Sequence, residues 1–177
     1  MTASPRRPRP DRVRPSGSHP GQVRSAYAAW TWVVVFIVAH IHWFLGGTIL
    51  RPNVPPASLD LFNVVVVCMF VVGFVVPLVA ARPPTATVPR RIVAAALWLG
   101  CAVLLVRGAA GVVDEILRLT GLSTDGLTGL TREEQTGYAD PPPRVLWTGW
   151  TIEAYFVLGG LLFGVAARRF GWPRPVR

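Results

Sequence analysis

The fold of this chain is decided by the apolar stretch IVAAALWLGCAVLLVRGAAGVV, residues 92–113. Arg107 is the one charged side chain in these 22 residues. A helix of about 20 apolar residues crosses the hydrocarbon core of a bilayer, whereas a buried strand needs only about 4–8 residues. A spanning segment must also satisfy its own backbone hydrogen bonds. The stretch is therefore predicted to be a membrane-spanning helix.

Three further runs share this length and composition, at residues 26–45, 59–81 and 145–167. The sequence thus predicts an all-α fold, an integral membrane antiparallel four-helix bundle within residues 26–167. Hydrophobic residues make up 51% of the chain and charged residues 15%. An average soluble domain has about 25% charged residues, so a water-soluble globule is excluded. With only two cysteines, a disulfide-stapled secreted scaffold is excluded as well.

The two ends of the chain are basic and differ from the apolar runs. Residues 1–25 are rich in arginine and proline and are predicted to form a disordered cytoplasmic tail. The apolar run that follows is longer than the roughly 7–15 residues of a signal peptide core, so it is predicted to be retained as a helix. The tail is expected to contact anionic lipid. It lacks the interleaved aromatic residues of a nucleic-acid binder, so nucleic acid is not an expected partner.

The arginines predict how the chain lies in the membrane. Of the 18 basic residues, 13 fall in the tail, the 82–91 connection and the basic end at 168–177. Only four fall on the opposite side. Because positive charge accumulates on the cytoplasmic side, both termini of this multi-pass protein are predicted to be cytoplasmic. The connection at 114–144 then becomes an outer loop.

The outer loop carries its own local signals. Its first residues are predicted to continue the third helix, with Gly121 as the residue that ends it. Thr131 and Glu134 have the spacing of a capping box, which predicts a short second helix. The seven tryptophans fall mostly near the ends of the predicted spans, which is typical of the interfacial aromatic belt.

Each predicted span contributes a polar side chain roughly 6–12 Å below the outer boundary at about 1.5 Å per residue, namely His40, Asn63, Arg107 and Glu153. His42 is shallower, and Asp114 follows the third span on the same face as Arg107. The candidate binding residues of this polar layer are His40, His42, Asn63, Arg107, Asp114 and Glu153. A charge in the membrane core costs about 2.5–3.5 kcal/mol on insertion scales. Arg107 and Glu153 are therefore predicted to face inward and to pair.

Glycines lie on the same helix faces as these two charges. Glu153, Gly160 and Gly164 form one stripe, and the two glycines make a GxxxG spacing that favours close helix packing. Arg107 shares its face with Gly111 in the same way. We therefore expect the third and fourth spans to pack closely at the level of the pair.

Three interpretations of the polar layer stay open. The preferred one is a small pocket, open to the outside, in which Arg107 recognises an anionic ligand or a protein partner. A second is an intramembrane enzyme of the isomerase or transferase type that uses Glu153 and His40 as acid and base. A third is an accessory subunit in which Arg107 and Glu153 form a structural ion pair. Catalysis is the less favoured reading, and no catalytic residue is assigned.

No metal or other cofactor is predicted. His40 and His42 are two residues apart on a helix and point about 200° apart, so they cannot ligate one ion together. A haem would need a second axial ligand, and no other span contains a histidine. Cys68 and Cys101 lie near the middle of their spans and are expected to act as small hydrophobic residues. Oligomeric state and protein partners stay open.

Three segments resemble a known family. They are residues 40–47 (HIHWFLGG), residues 107–114 (RGAAGVVD) and residues 152–160 (IEAYFVLGG). Together they resemble the small four-span bacterial membrane proteins of domain of unknown function 3995, common in actinobacteria, over roughly residues 26–167. The resemblance implies the four-span fold and a bacterial cytoplasmic membrane. Some members have Asp in place of Glu153, and the resemblance implies no activity.

Overall fold

The computed structural model describes residues 19–45, 47, 61–82 and 89–171, with side chains at all of these positions except 44 and 61–65. Within these ranges the chain forms five helices and no strand, which confirms the all-α prediction. The helices are α1 (Pro20–Phe44), α2 (Leu61–Ala81), α3 (Arg90–Leu119), α4 (Arg132–Thr136) and α5 (Pro143–Gly171). Of these, α1, α3 and α5 are long and apolar enough to cross a membrane. In α2 the described side chains form a shorter apolar helix, Val66–Ala81.

The first helix begins earlier than predicted. It starts at Pro20 rather than at Ala26, so the end of the predicted disordered tail is helical. The His19 side chain accepts a hydrogen bond from the Gly21 backbone N–H at 3.4 Å, and proline is favoured at the first helical position. The rest of the predicted tail, residues 1–18, and the end of the basic segment, residues 172–177, lie outside the described residues.

The local signals between α3 and α5 are confirmed. Helix α3 ends at Leu119, and Gly121 follows with a positive φ of 71°. At α4 the Thr131 hydroxyl accepts from the Glu134 N–H at 3.2 Å, and the Glu134 carboxylate accepts from the Thr131 N–H at 2.8 Å. Hydrogen bonds from the Thr131 backbone and hydroxyl lower the pKa of Glu134. This reciprocal pairing satisfies backbone donors that a helix N-terminus otherwise leaves open.

Neighbouring long helices run in opposite directions. Helix α3 packs mainly on α5, and α1 packs on α2 and α5. At one end of the molecule, Gln22 donates to the Ala80 carbonyl and Arg169 to the Gly21 carbonyl, both at 2.9 Å. Arg90 donates to the Phe170 carbonyl at 3.0 Å and lies over the Phe170 ring. Gln22 and Arg90 thus satisfy carbonyls in the last turns of α2 and α5.

We call this the arginine end of the molecule, because it carries all the described arginines that lie outside residues 107–153. Those residues are Arg24, Arg82, Arg90, Arg91, Arg168 and Arg169. The opposite, acidic end comprises residues 107–153, from the Arg107 turn of α3 to the Glu153 turn of α5. It holds every described Asp and Glu. The two ends therefore differ sharply in charge.

Apolar side chains fill the core and also cover much of the outer surface. The core lies where α1, α3 and α5 meet, with Trp32, Leu97 and Phe163 at its centre. Many valines, leucines and isoleucines of α1, α2, α3 and α5 point outward and are exposed. Such an apolar exterior is expected of helices that face lipid rather than water.

An aromatic clamp, Trp32 with Tyr155, joins α1 to α5. The rings stack with centroids 4.8 Å apart. The Trp32 indole donates to the Tyr155 carbonyl at 2.9 Å, and the Tyr155 hydroxyl donates to the Trp32 carbonyl at 2.6 Å. Gly159 makes room for the indole, since a Cβ there would lie 2.4 Å from Trp32 Cε2. Trp32 is therefore a core residue. The positions of the tryptophans near the ends of the apolar runs predict an interfacial belt instead, and for Trp32 that prediction is wrong.

Two glycine-to-alanine changes in α5 should have opposite effects on stability. Gly159→Ala crowds an indole that two hydrogen bonds hold in place, so we expect a loss of about 1–3 kcal/mol. Gly149→Ala has open space, with no atom within 4 Å of the added Cβ. It should gain about 0.4–1 kcal/mol from reduced freedom of the unfolded chain. Thermal unfolding of both variants in detergent measures this, and equal shifts of Tm would contradict the clamp.

Candidate functional site

The predicted contact between Arg107 of α3 and Glu153 of α5 is confirmed. Arg107 Nη1 lies 2.6 Å from Glu153 Oε2. The guanidinium also lies over the Phe156 ring, 4.8 Å from its centroid. The pair is not fully buried, however, because the Arg107 side chain is 49% exposed and that of Glu153 is 14% exposed. Glu153 is thus held in the helix interface, whereas the Arg107 side chain remains half exposed.

Glycines on α3 bring the two helices close enough for this pair. A Cβ at Gly108 would lie 2.9 Å from the Val157 backbone nitrogen, and a Cβ at Gly111 would lie 2.0 Å from Glu153 Cδ. At Gly108 the backbone of α5 leaves no room for a side chain, and at Gly111 the space is occupied by the Glu153 carboxylate. The predicted packing face of α3 is therefore confirmed, and it positions the Glu153 carboxylate directly against the α3 backbone.

The GxxxG spacing on α5 has the same role one level further into the core. A Cβ at Gly160 would lie 3.0 Å from the Leu105 backbone nitrogen, and one at Gly164 would lie 3.0 Å from Cys101 Sγ. Cys101 is accordingly buried, whereas Cys68 is exposed on α2. The two thiols face different surroundings.

A second ion pair, Asp114 with Arg118, organises the connection after α3. Arg118 Nε lies 2.9 Å from Asp114 Oδ2, and the two side chains are 2% and 8% exposed. Arg118 also donates to the carbonyls of Thr124, Asp125 and Leu130, at 2.9, 3.0 and 2.9 Å. We call Asp114 and Arg118 the buried pair. It holds the turn-rich segment 120–130 against the end of α3.

The sequence interpretation missed the role of Arg118. Asp114 shares a face with Arg107, and the two were therefore predicted to belong to one polar layer. The structure instead gives the Asp114 carboxylate to Arg118 and to the Leu127 backbone N–H. The four-residue spacing of Asp114 and Arg118 is the signal that could have found this pair, since such side chains meet on a helix.

A third ion pair attaches α4 to α3. Arg132 Nη1 lies 3.0 and 2.9 Å from the two carboxylate oxygens of Glu115. This contact places α4 above the end of α3, beside the start of α5. The short helix α4 thereby forms one side of the space next to α3 and α5.

These elements line an open-sided cavity of about 430 Å³ between α3, α4, α5 and the 120–130 segment. Its charged lining comes from Arg107, Asp114, Glu115, Arg132 and Glu153. Its apolar walls include Leu146, Trp150 and Ile152. A volume of about 300–1,000 Å³ with apolar walls and a few polar groups is the usual form of a small-molecule site.

The other predicted residues of the polar layer lie elsewhere. The His40 ring Nδ1 is 2.9 Å from the Phe36 carbonyl, and the ring packs edge-on against Phe36 and Phe70. The His42 ring packs against Gly47, whose N–H donates to the His42 carbonyl at 2.9 Å. Asn63 belongs to α2, and its side chain lies outside the described residues. Of the six predicted residues, Arg107, Asp114 and Glu153 line the cavity.

In the described parts of the chain, no three His, Cys, Asp or Glu side chains converge as metal ligands. No protein family, no curated protein and no solved structure matches the chain. The resemblance to domain of unknown function 3995 thus stays a prediction. Function is inferred from the cavity and its charges.

Removing the buried arginine should destabilise the acidic end. Arg118→Met leaves the Asp114 carboxylate without its partner and three carbonyls without their donor, so we expect a loss of about 3–5 kcal/mol. Segment 120–130 should become much more sensitive to added protease. Arg144→Met makes the same chemical change at an exposed position and should shift stability by less than about 0.5 kcal/mol. Similar thermal stability and proteolysis of the two variants would show that the buried pair does not hold the segment.

Proposed function

We propose that this chain is a four-span protein of the bacterial cytoplasmic membrane, arranged as an antiparallel four-helix bundle with both termini in the cytoplasm. The contacts of α2 with α1 and α3 support its place as the remaining span. The charge difference between the two ends supports the orientation, because the arginine end corresponds to the side that retains positive charge. The resemblance described above favours the same topology.

Thiol labelling tests the orientation. In a background of Cys68→Ala and Cys101→Ala, a cysteine at Ala139 should react with a membrane-impermeant maleimide added to intact cells. A cysteine at Gly171, at the arginine end, should react only after permeabilisation. The reverse pattern would overturn the topology, and labelling of both sites from outside would overturn the membrane-spanning arrangement.

We propose further that the cavity at the acidic end binds a small amphipathic ligand with an anionic head group. The observation that carries this proposal is the half-open Arg107 guanidinium on the cavity wall. Arg107 has five N–H donors, and among the described residues its one hydrogen bond goes to Glu153. By contrast, Arg118 is buried and makes several hydrogen bonds, and Arg132 is paired with Glu115. Arg107 is therefore the arginine best able to accept a ligand.

The Glu153 carboxylate refines the chemistry of that ligand. A head group beside Arg107 also meets Glu153, so it should offer a hydrogen-bond donor together with its acceptor oxygens. Apolar walls such as Trp150 and Leu146 suit the carbon chain of an amphiphile. A monoalkyl phosphate, with charged oxygens and a titratable hydroxyl, has these features.

The geometry favours binding over the other two interpretations. An acid–base pair must place both groups within hydrogen-bond reach of the reacting atoms. His40 instead bonds within α1 and packs among aromatic rings, whereas Glu153 faces the cavity. A purely structural ion pair is expected to be enclosed, and the open Arg107 and the adjoining cavity favour a ligand-binding role.

Thermal stabilisation by a probe amphiphile tests the binding proposal. Decyl phosphate should raise Tm of the detergent-solubilised protein, because a ligand that binds only the folded state at 100 times its Kd adds about 2.7 kcal/mol. Decyltrimethylammonium, with the opposite charge, should not raise it. The shift should be lost in Arg107→Met and kept in Arg144→Met, whose arginine does not line the cavity. Equal shifts in both variants would remove Arg107 from the site.

A further inference from the structure

The segment after α3 presents its leucines outward. We call residues 119–130 the leucine loop; its leucines are Leu119, Leu122, Leu127 and Leu130, and all four are exposed. Leu122 is the most open, at 76%. The loop contains a single charged residue, Asp125, in twelve. Connecting segments in water usually turn polar groups outward, whereas this loop also turns four large apolar side chains outward.

Several backbone groups of the leucine loop are satisfied from within. Three of its carbonyls accept from Arg118, and the Leu127 N–H donates to Asp114. The Ser123 hydroxyl donates to the Gly126 carbonyl at 3.2 Å. A loop exposed to water needs no buried ion pair for this purpose, since water can serve its carbonyls. A loop in contact with lipid must satisfy these groups internally.

Gly126 makes this inward pairing possible. Its φ of +60° lies in the left-handed region, and a Cβ there would lie 2.1 Å from Asp114 Oδ1. The loop backbone thus approaches the buried pair as closely as a chain can. That contact uses backbone groups of the loop, so its outer face carries the four leucines together with exposed polar side chains such as Thr124 and Asp125.

Exposed apolar side chains also occur along α3 up to the start of the loop. Exposed side chains recur along the helix at Leu99, Val106 and Val113 and continue through Ile116 to Leu119. Helix α3 has 30 residues, a length of about 45 Å at 1.5 Å per residue. The hydrocarbon core is only about 30 Å thick. The end of α3 and the leucine loop therefore reach the level of the head groups.

Trp147, at the start of α5, supports that level independently. Its side chain is 71% exposed, and it lies at the same end of the molecule as the leucine loop. Exposed tryptophans are enriched where the hydrocarbon meets the head groups. The exposed indole and the four leucines thus point to the same boundary.

We infer that the leucine loop lies on the outer leaflet of the same bilayer, with its leucines inserted at the boundary between head groups and acyl chains. The partner is the lipid surface itself, and the buried pair is the device that makes the loop compatible with it. Amphipathic segments bind membranes in this way, with their apolar side sunk about 5–10 Å. The inference rests on the proposed membrane embedding and adds a site of lipid contact outside the spans.

Spin-label accessibility tests the inference. The full chain, with Cys68→Ala and Cys101→Ala, is reconstituted in vesicles of phosphatidylethanolamine and phosphatidylglycerol, and a nitroxide is placed on Leu122→Cys. Two matched positions bracket the result, Leu99→Cys within α3 and Ala139→Cys on the same connection beyond α4. Collisions with oxygen report an apolar setting, and collisions with a neutral nickel chelate report water. We expect nickel accessibility at Leu122 to be several-fold below that at Ala139 and above that at Leu99.

The outcomes separate this inference from the proposal on which it rests. If Leu122 matches Ala139 while Leu99 is shielded from nickel, the membrane embedding stands and the leucine loop lies in water. If Leu99 is itself open to nickel, the embedding fails and the loop inference falls with it. If Leu122 is shielded from oxygen as well as nickel, protein rather than lipid covers the loop, which also overturns the inference.

Discussion

The close approach of α3 and α5 is the contact on which the rest of the structure depends. Helices in lipid have no hydrophobic reason to associate, so in such a setting association comes from packing and from polar contacts. Gly108 and Gly111 on one helix and Gly160 on the other bring the two backbones together. That approach lets Glu153 reach Arg107 and gives α5 a firm surface on which α1 can clamp through Trp32. A side chain at Gly108 or Gly160 would meet the backbone of the other helix, whereas one at Gly111 would meet the Glu153 carboxylate.

At both ends of the molecule, arginine side chains have hydrogen-bond partners that offset the cost of removing their charge from water. At the arginine end, Arg90 and Arg169 donate to backbone carbonyls of neighbouring helices. At the acidic end, the pair of Arg118 and Asp114 is almost completely buried and makes additional hydrogen bonds. A buried ion pair is tolerated only when its remaining donors and acceptors are also satisfied. The same pair also serves backbone groups of the leucine loop, whose four leucines are exposed.

The sequence predicts elements and local motifs well because these depend on short-range rules. The apolar runs, the glycine after α3 and the capping box of Thr131 and Glu134 all follow from spacing along one helix or turn. The contact of Arg107 with Glu153 is predictable too, since opposite charges at one depth have few alternatives in lipid. Depth does not say which neighbour a side chain faces, however. The sequence therefore does not predict that Asp114 pairs with Arg118. Nor does it predict that His40 lies against the Phe36 carbonyl and the Phe70 ring of α2.

Three arginines in or near the cavity differ in how many hydrogen-bond partners they have. Arg118 donates to the leucine loop and Arg132 pairs with Glu115, whereas the one described hydrogen bond of Arg107 goes to Glu153. Leu127 belongs both to the leucine loop and to the cavity wall. A loop seated on the head groups would thus place the cavity beside the bilayer surface. An amphiphile could then leave its chain near lipid while its head group meets Arg107 and Glu153, so the anchoring of the loop and the choice of ligand become consequences of one arrangement.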